Sequence, residues 1–356
     1  MSLKINHIKR TVIAAAIILA VVFLAVLPAV TIYIYEDYFG FKSTPVSWRT
    51  LYTDDFAGLK SKKYTLTGDH SQNLAAYSYY KEGVNKSGVV IIAHGMGCGG
   101  HNFYMNVADY FAGRGYYVFA YDGTGCGESD GDSMRGLPQA VADLDYAVSF
   151  VKQNEDFNGL PIAVFGHSLG GYAAAAVLNI HPDIKAAAVI AGFDNHLDMI
   201  KEHGQAAAGG FLMGLASPYI SVYERFKFGK YASYAGVQGF EKSECQAVIV
   251  HSEDDSTVSM SNGYDRFYQK FKDDPRFSFI KYNNRGHSYL YFSDAARSYM
   301  NEIEEAYGEY AAQNGGHSAG LKESYMRQNL DRQHYFELDD ILMSSIADVF
   351  DRAVRG

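Results

Sequence analysis

The chain has 356 residues, a net charge of −9 and 48% apolar or aromatic residues, enough for one large domain with insertions, or two domains, around a packed core. The acidic balance and the lack of any Lys/Arg block argue against a nucleic-acid partner. Three scattered cysteines, Cys98, Cys126 and Cys245, exclude a disulfide framework or zinc ribbon, though a bridge between Cys98 and Cys126 stays open.

Residues 11–35 carry no charged side chain and are dominated by Ile, Val, Leu and Ala. A helix of that length, at about 1.5 Å per residue, exceeds a hydrocarbon core of about 30 Å. Lys4, Lys9 and Arg10 precede the run, and Glu36 and Asp37 follow it. The positive-inside rule then places residues 1–10 in the cytoplasm and the rest of the chain outside, as a single-pass protein of the cell membrane. The competing readings are a cleaved signal peptide and a buried soluble helix. The run is long for a signal peptide, and Leu27, Pro28 and Tyr33 to Tyr35 fit a small-x-small cleavage site poorly. Pro28 is expected to kink the helix.

Residues 36–61 show no period and read as a linker. Residues 63–67 and 73–80 read as two short strands around Gly68-Asp69-His70-Ser71. From Val89 the chain alternates strand and helix. Strands are expected at 89–93, 116–121, 162–165, 186–191, 247–250 and 277–282, with helices between them at about 101–114, 137–153, 172–178 and 264–271. That rhythm predicts an α/β fold with a mostly parallel sheet and helices on both faces. It breaks at 193–242, a Gly-, Ala-, Phe- and Tyr-rich stretch without strands, expected to be a helical cap over the sheet's top edge. Beyond Ser293 the chain reads as mostly helical, ending in an amphipathic helix at 338–349.

Gly166-His167-Ser168-Leu169-Gly170-Gly171 lies between the strand at 162–165 and an alanine-rich helix. This is a Gly-x-Ser-x-Gly frame in its strand-turn-helix context. Glycines let strand and helix close around a strained serine whose hydroxyl stays exposed. Ser168 alone is a weak nucleophile and needs a base, which in turn needs an orienting carboxylate. Such groups lie in loops after the C-terminal ends of strands. That rule selects His287, directly after the last expected strand, and Asp255, after the strand at 247–250. Asp254 is a close competitor and Asp194 a distant one. The backbone N–H groups of Leu169 and Met96 are the expected oxyanion donors. His94, His167 and His251 flank turns and read as structural. The loops 94–100 and 122–129 do not fit a dinucleotide or phosphate motif, and no cluster has metal-ligand spacing, so no cofactor and no metal are expected.

Together, His94-Gly95-Met96-Gly97, Asp122-Gly123-x-Gly125-x-Gly127-x-Ser129, the Ser168 hexapeptide, Asp255-x-x-Val258 and Gly286-His287 resemble the α/β-hydrolase superfamily. The closest similarity is to its monoacylglycerol-lipase and serine-aminopeptidase-like branch. The resemblance spans about residues 63–292. It implies a helical cap between the sixth and seventh core strands and favours Asp255 over Asp254. Ser252 departs from the family's usual Gly, and the N-terminal segment lies outside the family domain. The expected domain plan is a cytoplasmic end (1–10), an anchor (11–35), a linker (36–61) and a hydrolase domain (62–356) with its cap at 193–242. The expected function is a membrane-anchored serine hydrolase acting on small-molecule carboxylic esters of lipid or acylglycerol type. An amide or peptide hydrolase, with Glu202 or Glu224 holding a substrate ammonium, is the second reading. A non-catalytic, membrane-tethered binding module is the third.

Overall fold

The computed structural model describes residues 2–355, with side chains from 9 to 354. The side chains of 1–8, including Lys4 of the expected cytoplasmic end, lie outside that range.

The N-terminal helix comes first, as α1 (Ser2–Val21), a π turn (Val22–Val26) and α2 (Leu27–Phe39). Pro28 has no N–H to donate, and the helix adapts to it through the π turn, in which the Leu27 N–H reaches back five residues to the Val22 carbonyl. Among the described residues, one helix, Lys9–Phe39, is long and apolar enough to cross a membrane.

Eight strands follow: β1 (Leu59–Thr67), β2 (Asn73–Lys81), β3 (Gly88–Ala93), β4 (Tyr116–Tyr121), β5 (Ile162–His167), β6 (Ala186–Ile190), β7 (Gln246–Ser252) and β8 (Phe277–Tyr282). They form one sheet in the order β1-β2-β4-β3-β5-β6-β7-β8. β2 runs antiparallel to β1 and β4, and all other pairs are parallel. The parallel strands read as unbroken apolar runs because helices cover both faces. One face carries α4 (Leu137–Gln153) and α5 (Leu169–Ala176), and the other carries α3 (Met105–Gly113) with the C-terminal helices α10 (Asp294–Gln313), α11 (Ala319–Asn329), α12 (Arg332–Tyr335) and α13 (Asp340–Arg355). β3 lies between β4 and β5, so the chain leaves it in one direction and returns on its other side. The crevice above the C-terminal ends of β3 and β5 is the topological switch point where such sheets place their sites.

Between β6 and β7 come α6 (His196–Ala208), α7 (Gly210–Phe228) and α8 (Gly236–Glu241), followed after β7 by α9 (Tyr264–Phe271). α6 and α7 form a hairpin. α8 instead packs into the body: a Cβ on Gly239 would sit 2.2 Å from the Ala175 carbonyl oxygen. The roof is therefore shorter than the stretch 193–242.

The structure also corrects the linker. Helix α2 runs on to Phe39, and β1 starts at Leu59, so 36–61 includes part of both. The stretch between them is tied to the body. Ser43 exchanges backbone hydrogen bonds with Gly125 and Gly127, 2.9 Å each, and Trp48 and Leu51 are buried. Its lack of period reflects a segment held by loops rather than by a regular element.

Candidate active site

The turn at Ser168 is built by exclusion of side chains. Ser168 has φ 56° and ψ −119°, a conformation that costs a non-glycine residue about 1–3 kcal/mol. Two close approaches hold it. A Cβ on Gly166 would lie 2.2 Å from the Gly170 carbonyl oxygen, and one on Gly170 would lie 1.9 Å from that of Ala93. The Ser168 N–H is spent on the Ile190 carbonyl at 2.8 Å. Its hydroxyl faces the crevice.

His287 and Asp255 meet it there. The Ser168 Oγ lies 2.7 Å from His287 Nε2, and His287 Nδ1 lies 2.7 Å from Asp255 Oδ2. With Nδ1–H donating to the carboxylate, Nε2 is left to accept from the serine hydroxyl. The other Asp255 oxygen accepts the N–H groups of Thr257 and Val258 at 2.8 and 2.9 Å. Burial raises the Asp255 carboxyl, but the His287 hydrogen bond and charge and these two N–H groups outweigh it and hold the group below the usual carboxylate range.

The competing acids stand elsewhere. Asp254 Oδ1 accepts from Ser252 Oγ at 2.5 Å and from the Gly286 N–H at 3.0 Å. Ser252 Oγ also accepts the Arg285 N–H at 2.9 Å. The serine that replaces the expected glycine thus ties the Asp255 loop to the His287 loop. Asp194 caps the start of α8 through the Val237 N–H at 2.7 Å.

On the other side of Ser168, the N–H groups of Met96 and Leu169 have no acceptor among the described hydrogen bonds. They flank a narrow apolar slot lined by Met134, Tyr121, Ala140 and Ala173. Cys98 and Cys126 are free thiols, not a bridge. Among the described residues, no group of His, Cys, Asp and Glu is arranged to hold a metal ion.

In the sequence, His167 is marked only as a residue flanking a turn, and Tyr104 is not marked at all. The Gly95 N–H donates to Tyr104 Oη at 2.9 Å. Tyr104 Oη lies 3.0 Å from His167 Nδ1, and His167 Nε2 lies 3.0 Å from the His287 carbonyl oxygen. With a neutral imidazole, only one proton arrangement satisfies all three contacts. The carbonyl requires Nε2–H, so Nδ1 accepts from Tyr104. The result is a fully paired strut from the loop carrying Met96 to the backbone of His287. Burial, then His287, pushes His167 down to about 3, so it stays neutral. No local signal marks Tyr104, because its partner His167 is 63 residues away.

Glu202 and Glu224, the candidates for an ammonium site under the amide reading, are both engaged. Glu202 accepts from Ser259 at 2.8 Å and from Asn262. Glu224 is fully buried between Tyr35, whose hydroxyl donates to it at 2.9 Å, and His196, whose Nε2 lies 3.0 Å away.

Comparison with known proteins bears on the family and the fold. Residues 84–229 match the family model described as serine aminopeptidase, S33. The human monoglyceride lipase is 32% identical over 102 residues, 27% of this chain and 31% of that protein. The mouse monoglyceride lipase is 31% identical over 111 residues, 29% of this chain and 34% of that protein. The match therefore spans about a third of the length of these relatives. Among solved structures, an esterase from Pyrococcus furiosus superposes with TM-score 0.52 at 18% identity, covering 77% of this chain and 97% of the esterase. Acetyl xylan esterase 1 from Thermoanaerobacterium sp. JW/SL YS485 superposes with TM-score 0.51 at 14% identity, covering 76% of this chain and 96% of that enzyme.

Proposed function

Because the chain is an α/β-hydrolase of the monoglyceride-lipase and S33 branch, we propose that it is a membrane-anchored serine hydrolase that cleaves carboxylic esters of lipid type. The observation that carries this reading is the unbroken chain of contacts from Ser168 through His287 to Asp255, 2.7 Å at each step. In the proposed reaction, Ser168 Oγ attacks the ester carbonyl while His287 Nε2 takes its proton. Asp255 holds the imidazole in orientation and stabilises its charged form. The Met96 and Leu169 N–H groups receive the oxyanion. His287 then returns the proton to the leaving alcohol, and water, activated by the same imidazole, releases the acid and frees Ser168.

The apolar slot beside Leu169 supports a greasy acyl group. The occupied carboxylates of Glu202 and Glu224 disfavour an aminopeptidase-like ammonium site. The helix 9–39 is proposed as an uncleaved anchor with the hydrolase domain on the extracytoplasmic side. Burial of Thr31, Tyr35 and Phe39 against the body supports retention of the helix, since a cleaved leader has no reason to be packed.

A fluorophosphonate probe tests the chemistry. It should label the wild type and not Ser168→Ala; equal labelling of both would overturn the assignment. A series of p-nitrophenyl esters of rising chain length, set against aminoacyl anilides, tests the substrate class. Faster turnover of the anilides would replace the ester reading by the amide one.

A further inference from the structure

A second cavity opens across the loop 122–128 from the apolar slot. Gly123, Thr124 and Cys126 of that loop line the slot, whereas Asp122, Gly127 and Glu128 line the cavity. Its volume is about 250 Å³, far more than one water needs. Tyr79 of β2 and His101 form its floor, each 2% exposed. Tyr52, Ser61 and Glu128 form an exposed rim. The outer wall is the irregular stretch before β1, with Pro45, Thr50 and Thr53.

That wall is fastened along its length. Ser43 pairs with Gly125 and Gly127. Asn102 donates its side-chain N–H to the Leu51 carbonyl at 2.8 Å, and Arg332 binds the Thr50 carbonyl and the Asp55 carboxylate. The cavity is therefore preformed, as ligand sites usually are.

Two polar atoms of the floor are unspent. Tyr79 Oη has no partner among the described hydrogen bonds, and neither has His101 Nε2, although the other ring nitrogen of His101 donates to Asp122. Neither atom is sealed off from the cavity. Polar atoms on buried side chains are normally paired, so these two mark a place for a partner from outside the chain.

The charged groups, in contrast, are already matched. Asp122 Oδ1 accepts the backbone and Nδ1 N–H groups of His101 at 2.8 and 2.7 Å, and Oδ2 accepts the Glu128 N–H at 2.9 Å. Glu128 pairs with Lys63 and accepts the Tyr77 hydroxyl at 2.9 Å. The Tyr77 ring stacks on that of His101, with centroids 4.6 Å apart. What remains for a ligand is hydrogen bonding and aromatic surface.

A ligand hydroxyl suits this floor. It can accept from the Tyr79 O–H, and it pairs with His101 Nε2 whether that nitrogen carries a proton or a lone pair. An anion would face the carboxylates of Asp122 and Glu128, and a cation would have to displace Lys63. A ring with hydroxyls at its edge and C–H groups on its faces also packs against Tyr52 and Tyr77.

We propose that this cavity is a carbohydrate-binding site that takes a neutral pyranose ring. The site goes beyond the ester-hydrolase reading and does not depend on Ser168. Tyr79 and His101 bind the ring's hydroxyls, and Tyr52 and Tyr77 hold its faces.

The test uses the full chain in lipid nanodiscs prepared without glycoside detergents. Glucose, xylose and N-acetylglucosamine are titrated separately and followed by saturation-transfer NMR. Saturable binding of at least one sugar is expected in the millimolar range. Tyr79→Phe removes only the floor hydroxyl and should weaken that binding about tenfold. Tyr52→Ala, on the exposed rim, should weaken it by a similar factor of about ten through lost ring packing. Both variants should unfold thermally at the wild-type temperature, which separates a lost contact from a damaged fold. Equal sugar affinity in the wild type and both variants would place the sugar elsewhere and overturn the proposal. Tighter binding of tetramethylammonium than of any of the sugars, lost in Tyr52→Ala, would show a cation site and also overturn it. So would the absence of saturable binding by all three sugars.

Discussion

Tyr104 and His167 are buried side chains that join two loops of the candidate site. Their hydrogen bonds link the Gly95 N–H to the His287 carbonyl, so the loop bearing one proposed oxyanion donor and the loop bearing the proposed base share one strut. Removing the Tyr104 hydroxyl leaves the Gly95 N–H and His167 Nδ1 unpaired in a buried place. An unpaired buried group costs about 1–3 kcal/mol. If the strut sets the geometry of the reacting groups, Tyr104→Phe should lower kcat on a p-nitrophenyl ester by about 10- to 100-fold while KM stays within about threefold. A rise in KM with kcat unchanged would show instead that Tyr104 acts on substrate binding. Asp254 and Ser252 belong to the same layer of support. They explain why two adjacent acids occur where one would serve: one faces the imidazole and its neighbour fastens the loop that presents it.

The elements around Ser168 leave little freedom. α5 follows β5 with only Ser168 between them and is lined with alanines because only small side chains fit between it and the sheet, α4 and α8. Gly170→Ala would drive a Cβ to 1.9 Å from the Ala93 carbonyl oxygen, a backbone atom with nowhere to move. The expected outcome is a protein that fails to accumulate in folded form. The same substitution at Gly308 in α10 meets nothing within 4 Å, and should raise stability by up to about 1 kcal/mol through helix propensity. The yield of folded Gly170→Ala and the thermal unfolding of Gly308→Ala, each beside the wild type, check the two signs. At the N-terminal helix, the π turn lets a proline sit in a long apolar span without breaking it, and the last turn then docks Tyr35 and Phe39 against the body.

At the scale of the whole molecule, the buried His167 couples folding to pH. The folded protein holds its imidazole neutral down to about 3, whereas the ordinary value is 6.5. As pH falls below 6.5 the unfolded chain takes up a proton that the folded chain refuses. The stability contributed by the neutral imidazole is therefore complete above 6.5 and declines as pH falls towards 3, with a slope of about 1.4 kcal/mol per pH unit. In urea melts of the detergent-solubilised chain, the wild type should lose about 2 kcal/mol more than His167→Gln between about pH 7 and pH 5. Equal losses would mean that His167 is protonated in the folded state.

The sheet, its flanking helices and the chain order of Ser168, Asp255 and His287 were legible in the sequence. Buried parallel strands must be apolar throughout, tight turns must carry glycine, and reactive groups must follow strand ends. Each of these requirements leaves a local trace that needs no knowledge of distant partners. Only the tertiary structure distinguished Asp255 from Asp254 by contact, found Tyr104, and showed that the apparent linker is woven into the body. It also separated the apolar residues of the 193–242 stretch into a face turned inward and a face left bare. These were decided by which segments meet across tens to hundreds of residues, and a local pattern of apolar and polar residues carries no record of its partner. Composition marks a phenylalanine as needing apolar surroundings; the packing decides whether the protein itself supplies them.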